Sequence, residues 1–221
     1  MKTLIIIPAY NEQDNIEPLI EKIKKYKYDY LVINDCSKDK TAEILDKNNF
    51  NHIDLPINLG LAGVTQVGFK YARDYEYDCV INIDGDGQHD PEYVKSLIEE
   101  IKNGADYVVG SRFVTEKKSF SLRMIGSRLI CLLIKLKTGK TVTDPTSGMR
   151  ALGRTVINEF ASSMNFYAEP DALCHLLKEK LNVKEIQVEM KERQGGVSYF
   201  HNPFKSIYFM ISIILSILFI Q

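Results

Sequence analysis

Apolar and polar residues follow two alternating rhythms along this chain. Short β-branched runs (TLIII from Thr3, YLVIN from Tyr30, HIDL from His52, CVINI from Cys79, YVVG from Tyr107) are separated by stretches with apolar residues at helical spacing. The helical rhythm covers 16–26, 41–48, 62–74 and 91–102. Such alternation predicts βαβ crossovers, and therefore an α/β domain with a mostly parallel sheet and helices on both faces. Asp90-Pro91 supplies a helix start, with aspartate as cap and proline at the first helical position.

Beyond Arg112 the rhythm loosens. VTEKKSFSLR, from Val114, reads as a polar loop. Residues 124–137 are apolar with Arg128, Lys135 and Lys137 interspersed, which fits either a basic amphipathic helix at a membrane surface or a half-buried helix. The tail FKSIYFMISIILSILFIQ holds about 14–17 apolar residues, short of the roughly 20 that cross a bilayer squarely. Ser212 and Ser216 lie four apart, a small-residue face suited to close pairing with a partner helix or a second copy. The expected division is a catalytic domain over 1–200 and a hydrophobic membrane-associating segment over 201–221.

In open α/β sheets, ligands sit beyond the carboxyl ends of the strands. The polar clusters fall there: PAYNE after the first strand, NDCS after the second, DGDGQ after the fourth. The last is the most demanding, because carboxylates this close repel each other unless a cation lies between them. An EF-hand loop would place its late glutamate where Tyr93 stands and would follow a helix, whereas a β-run precedes this cluster. A plain turn explains Asp90 as a cap but does not require both Asp84 and Asp86. A D-x-D site uses both: they hold a hard divalent cation, Mg2+ or Mn2+, that neutralises a leaving diphosphate, with Gln88 as a neutral ligand.

Composition narrows the field. Twenty-eight Lys and Arg against 29 Asp and Glu give no support to a nucleic-acid partner. Cys36, Cys79, Cys131 and Cys174 lie far apart and form no C-x-x-C pair, so they read as buried or loop thiols in a reducing compartment. The chain opens directly on a strand-like run with no secretory signal pattern, and a cytoplasmic domain is expected.

IIIPAYNE, INDCSKDKT, NLGLAGVTQVGFKYA, NIDGDGQHDPE, VGSRF, DPTSGMRAL and ERQGGVS occur in the order and approximate spacing of family 2 glycosyltransferases. The closest likeness is to the polyprenyl-phosphate sugar synthases of the dolichol-phosphate mannose synthase group, from about Thr3 to Ser198. The resemblance implies a GT-A fold, a UDP- or GDP-linked sugar donor, a divalent metal and an inverting transfer. It also implies an acceptor carried in a membrane, and hence a place at its cytoplasmic face.

Roles carry over from the resemblance residue by residue. Pro8, Tyr10, Asn11, Glu12 and Asp35 match positions that hold the nucleoside, although Asn34 and Cys36 stand where the family often has aspartate and glycine. Asn58, Gly60 and Gly63 match a loop near the nucleotide. Arg112 matches a phosphate-reaching arginine, and Arg123 and Arg128 lie where further basic residues face the acceptor phosphate. Arg193 and Ser198 match a closing segment near the site. Asp144 sits beside the acceptor, where it is either a general base for a hydroxyl or an orienting group for a lipid phosphate. The main expectation is transfer to a polyprenyl phosphate, catalysed by Asp86, Asp144 and Arg112. The alternative is transfer to a hydroxyl of a lipid-linked glycan in surface-polysaccharide assembly. A nucleotidyltransferase and a calcium-binding adaptor are rivals of other classes.

Overall fold

In the computed structural model of the 221-residue chain, residues 1–162, 170–191 and 203–220 are described, apart from the side chains of residues 122, 123 and 203–207. Arg193 and Ser198 lie outside the described residues, and Arg123 is placed only as a position on a helix.

The first half of the chain builds βαβ units as its pattern demands. β1 (Thr3–Ala9), α1 (Ile16–Lys25), β2 (Asp29–Asn34), α2 (Thr41–Lys47), β3 (His52–Asp54), α3 (Gly60–Asp74) and β4 (Cys79–Asn82) follow in turn. A 3-10 turn over Pro91–Tyr93, capped by the Asp90 carboxylate, then leads into α4 (Val94–Lys102) and β5 (Tyr107–Ser111). The second half adds α5 (Leu122–Thr138), β6 (Arg150–Gly153), α6 (Arg154–Ser162), α7 (Pro170–Lys178), β7 (Val183–Gln187) and α8 (Pro203–Leu215), which runs into a π turn over Ser216–Ile220.

The sheet order is β3-β2-β1-β4-β6-β5-β7. Only β6 runs against its neighbours, so the mostly parallel expectation holds. The chain steps outward from β1 to β3, then returns to place β4 on the other side of β1. That reversal opens a crevice at the carboxyl ends of β1 and β4, the usual ligand site of such sheets.

β1 is buried on both faces, which is why it reads as a continuous apolar run. Leu4 and Ile6 join one core, with α3, α5, α6 and α7; Ile5 and Ile7 join the other, with α1, α2 and α4. The tail belongs to the first of these cores. Ile213 and Ile217 are fully buried there, and the Ser216 hydroxyl donates to Asp171 of α7 at 2.9 Å. Ser216, expected to meet a partner helix, thus meets its own domain. The C-terminal helix expected from the apolar run is present, yet among the described residues no helix is long and apolar enough to cross a membrane.

Candidate active site

The site begins where β4 ends. Asp84 and Asp86 stand in the turn after Asn82, and Gly85 N–H donates to the Pro8 carbonyl of β1 at 3.1 Å. The Asp84 N–H donates to His89 Nδ1 at 3.3 Å, and His89 is buried directly behind it. From the far side comes the loop before β6. A Cβ on Gly148 would lie 2.2 Å from Asp84 Oδ2, so only glycine lets this loop close against the carboxylate. Pro8, Asn82, Asp84 and Gly148 line one cleft with Leu61 and Thr65 of α3. Asn82 Oδ1, in that cleft, and His89 Nε2 are buried without a hydrogen-bond partner. Hard oxygen donors around a glycine-made opening fit a divalent cation. Gln88 is less open than its sequence position implied. Its amide donates to the Lys191 carbonyl at 3.2 Å, which leaves Oε1 as its ligand atom.

The residues expected to hold the nucleoside form a tied set. Asp35, at the end of β2, accepts from the Leu59 and Gly60 N–H groups at 2.6 and 2.9 Å, and Asn58 Nδ2 donates to the Asp35 carbonyl. Asp35 thus holds the start of α3, where a carboxylate is favoured by the helix dipole. Asn11 takes a left-handed backbone, receives the Lys38 N–H on its side chain and donates its own N–H to Ser37 Oγ. Glu12 is buried and bonded to Asn15, while Tyr10 is exposed beside them. Of the two departures from the family pattern, one has a physical reason and the other runs against the local backbone conformation. Asn34 Nδ2 donates to Asp54 at 2.6 Å, where a second carboxylate would repel. Cys36 has φ of 58°, a conformation that favours the glycine common at that position.

Asp144, expected beside the acceptor, is fully buried and gripped by Arg112. Nε and Nη2 of the guanidinium reach its two oxygens at 2.6 and 2.8 Å, and the Arg112 backbone N–H adds a third bond at 3.1 Å. Burial pushes the Asp144 pKa up, but the Arg112 hydrogen bonds and charge, with help from Lys118, outweigh it and hold the carboxyl below its usual range. Arg112 therefore meets Asp144 and not open solvent. Arg128 donates to the Lys118 and Ser119 carbonyls, fixing the preceding loop.

Three supports carried no sequence signal of their own. Glu185 of β7 accepts the Thr143 and Asp144 N–H groups at 2.8–3.0 Å. Arg150, buried in β6, donates to the Ser147 and Pro145 carbonyls and to Tyr107 Oη. His89, within the NIDGDGQHDPE run, backs Asp84. Only the fold brings these partners together; the chain separation of Glu185 from Asp144 hides the link. Away from the β4 turn, at the sheet edge, Asp46 and Asp54 each stand 3.4 Å from His52 Nε2.

Residues 4–160 match the sequence pattern of Glycosyl transferase family 2. The chain belongs to that family, and it is a glycosyltransferase. A curated relative, the UDP-N-acetylglucosamine–dolichyl-phosphate N-acetylglucosaminyltransferase of Methanococcus voltae, is 30% identical over 210 residues, covering 84% of each chain. The dolichol-phosphate mannosyltransferase of Pyrococcus furiosus is 35% identical over 170 residues, which span 71% of this chain and 47% of that longer protein. Among solved structures, glucosyl-3-phosphoglycerate synthase from Mycobacterium tuberculosis, in complex with Mn2+, UDP-glucose and phosphoglyceric acid, superposes with a TM-score of 0.71. It is 16% identical, with 98% of this chain and 79% of that one covered, and the likeness is one of fold.

Proposed function

We propose that this glycosyltransferase moves a sugar from a nucleoside diphosphate to a polyprenyl phosphate at the cytoplasmic face of a membrane. The observation that carries the choice of acceptor is the state of Asp144. A general base needs a pKa near the working pH and a free lone pair directed at the proton it takes. Asp144 is buried, held ionised below the usual carboxylate range and engaged through both oxygens by Arg112. It is a poor base. A phosphate acceptor is already anionic and needs placement and charge balance, not deprotonation. The relatives named for dolichyl-phosphate and dolichol-phosphate acceptors support the same reading.

The donor lies across the crevice between β1 and β4. Asp84 and Asp86, with Gln88 Oε1, would hold Mg2+ or Mn2+, which when bound neutralises charge on the departing diphosphate. Pro8, Tyr10, Asn11, Glu12 and Asp35, with the Asn58–Gly60 turn, shape the nucleoside end. Asp144 aims Arg112 and keeps its charge fixed beside the acceptor. Arg123, Arg193 and Ser198 belong to the same reading through their place in the family motifs.

Kinetics of three variants test this. Asp84→Ala and Asp86→Ala should each abolish transfer and weaken diphosphate binding, measured by calorimetry with manganese present. Asp144→Asn should slow transfer and leave the form of the pH–rate profile unchanged. A loss of about 10²–10⁴ in rate together with disappearance of the acid limb, on which a base would be protonated, would mark Asp144 as a base and move the acceptor to a hydroxyl.

A further inference from the structure

The site's charges stand in two turns, Asp84 and Asp86 after β4 and Arg112 after β5. These strands are not neighbours. β6 lies between them, so the sheet does not pair one directly with the other. A segment from the edge of the sheet reaches both turns. β7 lies beyond β5, and its last residue, Gln187, is paired with Ser111. Side chains alternate along a strand. Ile186 and Val188 pack in the core shared with α1, α2 and α4, which leaves Glu185 and Gln187 on the other face.

Gln187 continues the pairing past the end of β5. Its Oε1 accepts the Thr115 N–H at 2.9 Å, and its Nε2 donates to the Arg112 carbonyl at 3.1 Å and the Val188 carbonyl at 3.2 Å. An amide offers a donor and an acceptor in one plane, which neither a carboxylate nor a hydrocarbon at this position would do. Arg112 is thus held twice, through its guanidinium by Asp144 and through its backbone by Gln187. Glu185, two residues back, accepts the Thr143 and Asp144 N–H groups. One face of β7 therefore grips both partners of the ion pair.

Past Gln187 the chain crosses to the carboxylate turn. The Val188 N–H donates to the Ser111 carbonyl at 2.9 Å, Met190 bridges His89, and the Lys191 N–H donates to the Gln88 carbonyl at 2.9 Å. The Gln88 side chain returns a bond to the Lys191 carbonyl, and Lys191 Nζ pairs with the Asp90 carboxylate. We propose that Gln187 is a positioning residue for Arg112, and that residues 185–191 form a brace fixing the arginine turn to the carboxylate turn. The brace sets how far Arg112 stands from Asp84 and Asp86. On the proposed function this is the separation of acceptor phosphate from leaving diphosphate, a meaning that rests on that reading. A misplacement of about 1 Å at such a site can cost on the order of 10²-fold in rate.

Hydrogen exchange of the full chain, read by mass spectrometry without metal, nucleotide or acceptor, tests the brace. Lys191→Pro removes the N–H given to Gln88 and the ion pair with Asp90, at the carboxylate end alone. Exchange should rise about threefold or more at 111–116 as well as at 84–90. Gln187→Leu, at the arginine end, should in turn raise exchange at 84–90. Effects confined to each variant's own end would overturn the brace. If one variant does not fold by circular dichroism, the other carries this test. Kinetics then test Gln187 itself. Gln187→Leu should raise the acceptor KM about fivefold relative to the donor KM, on the order of one lost hydrogen bond, with the form of the pH–rate profile unchanged. A fall in kcat with the ratio of the two KM values unchanged would overturn the positioning role. If exchange couples the two ends but the native protein does not glycosylate a short soluble polyprenyl phosphate, the brace stands and the acceptor reading alone fails.

Discussion

The Asp144–Arg112 pair is where single residues bear most on function. Removing one partner of a buried ion pair leaves the other charge unmatched, which typically costs 3–5 kcal/mol. Arg112→Ala should therefore destabilise the protein by about that much in urea unfolding, besides impairing transfer. The pH dependence has a defined sign. Because the folded pKa of Asp144 is depressed, the pair's contribution is fully present above the unfolded value of about 3.9 and disappears as pH falls through the folded value. The stability gap between the native protein and Asp144→Asn should accordingly stay flat from about pH 5 to 8 and narrow below about pH 4. A gap that changes near neutrality would show a titrating Asp144 and revive it as a base. At this scale the sequence revealed residue types but not their partners. Asp144, Arg112 and Asp35 stood out in motifs, whereas Glu185 holds backbone groups far away in the chain and Arg150 links its own loop to the distant Tyr107 hydroxyl. Periodicity carries no trace of such contacts.

Among the elements, β1 to β5 and α1 to α4 were legible because each buries one stripe or an alternating face at its own period. The later elements obscure that signal. β6 has four residues and runs antiparallel between β4 and β5. α7 is buried nearly all round, from Pro170 through Leu177, so no polar face betrays its turn. The tail was legible only in part, because its hydrophobicity serves two surfaces, one packed on the domain and one exposed. This yields a prediction. Ile217→Ala should cost about 2–5 kcal/mol of stability in urea unfolding, the range for cavity-forming changes in a core. Leu218→Ala, at the exposed neighbour, should stay within about 0.5 kcal/mol. Equal, small effects would mean that the tail is an appendage and not part of the core.

At the scale of the whole molecule, two functional sides meet at one end of the sheet. On the proposed function, the β1–β4 crevice offers a carboxylate turn for the donor, and the β5–α5 side offers a fixed arginine next to a basic, apolar surface. That arrangement suits a reaction between a soluble nucleotide and a lipid-borne phosphate. The strand pattern showed the parallel βαβ units but neither the reversal of the sheet nor the packing of α7 against the tail. The most direct measurement of the central claim is the identity of the bond formed. Membranes and a panel of radiolabelled nucleotide sugars are incubated with the protein and a divalent metal, and the labelled lipid is extracted and treated with mild acid. A sugar joined through phosphate is released under those conditions, and that release is the expected result. Label that remains on the lipid as an acid-stable sugar–sugar linkage would contradict a phosphate acceptor.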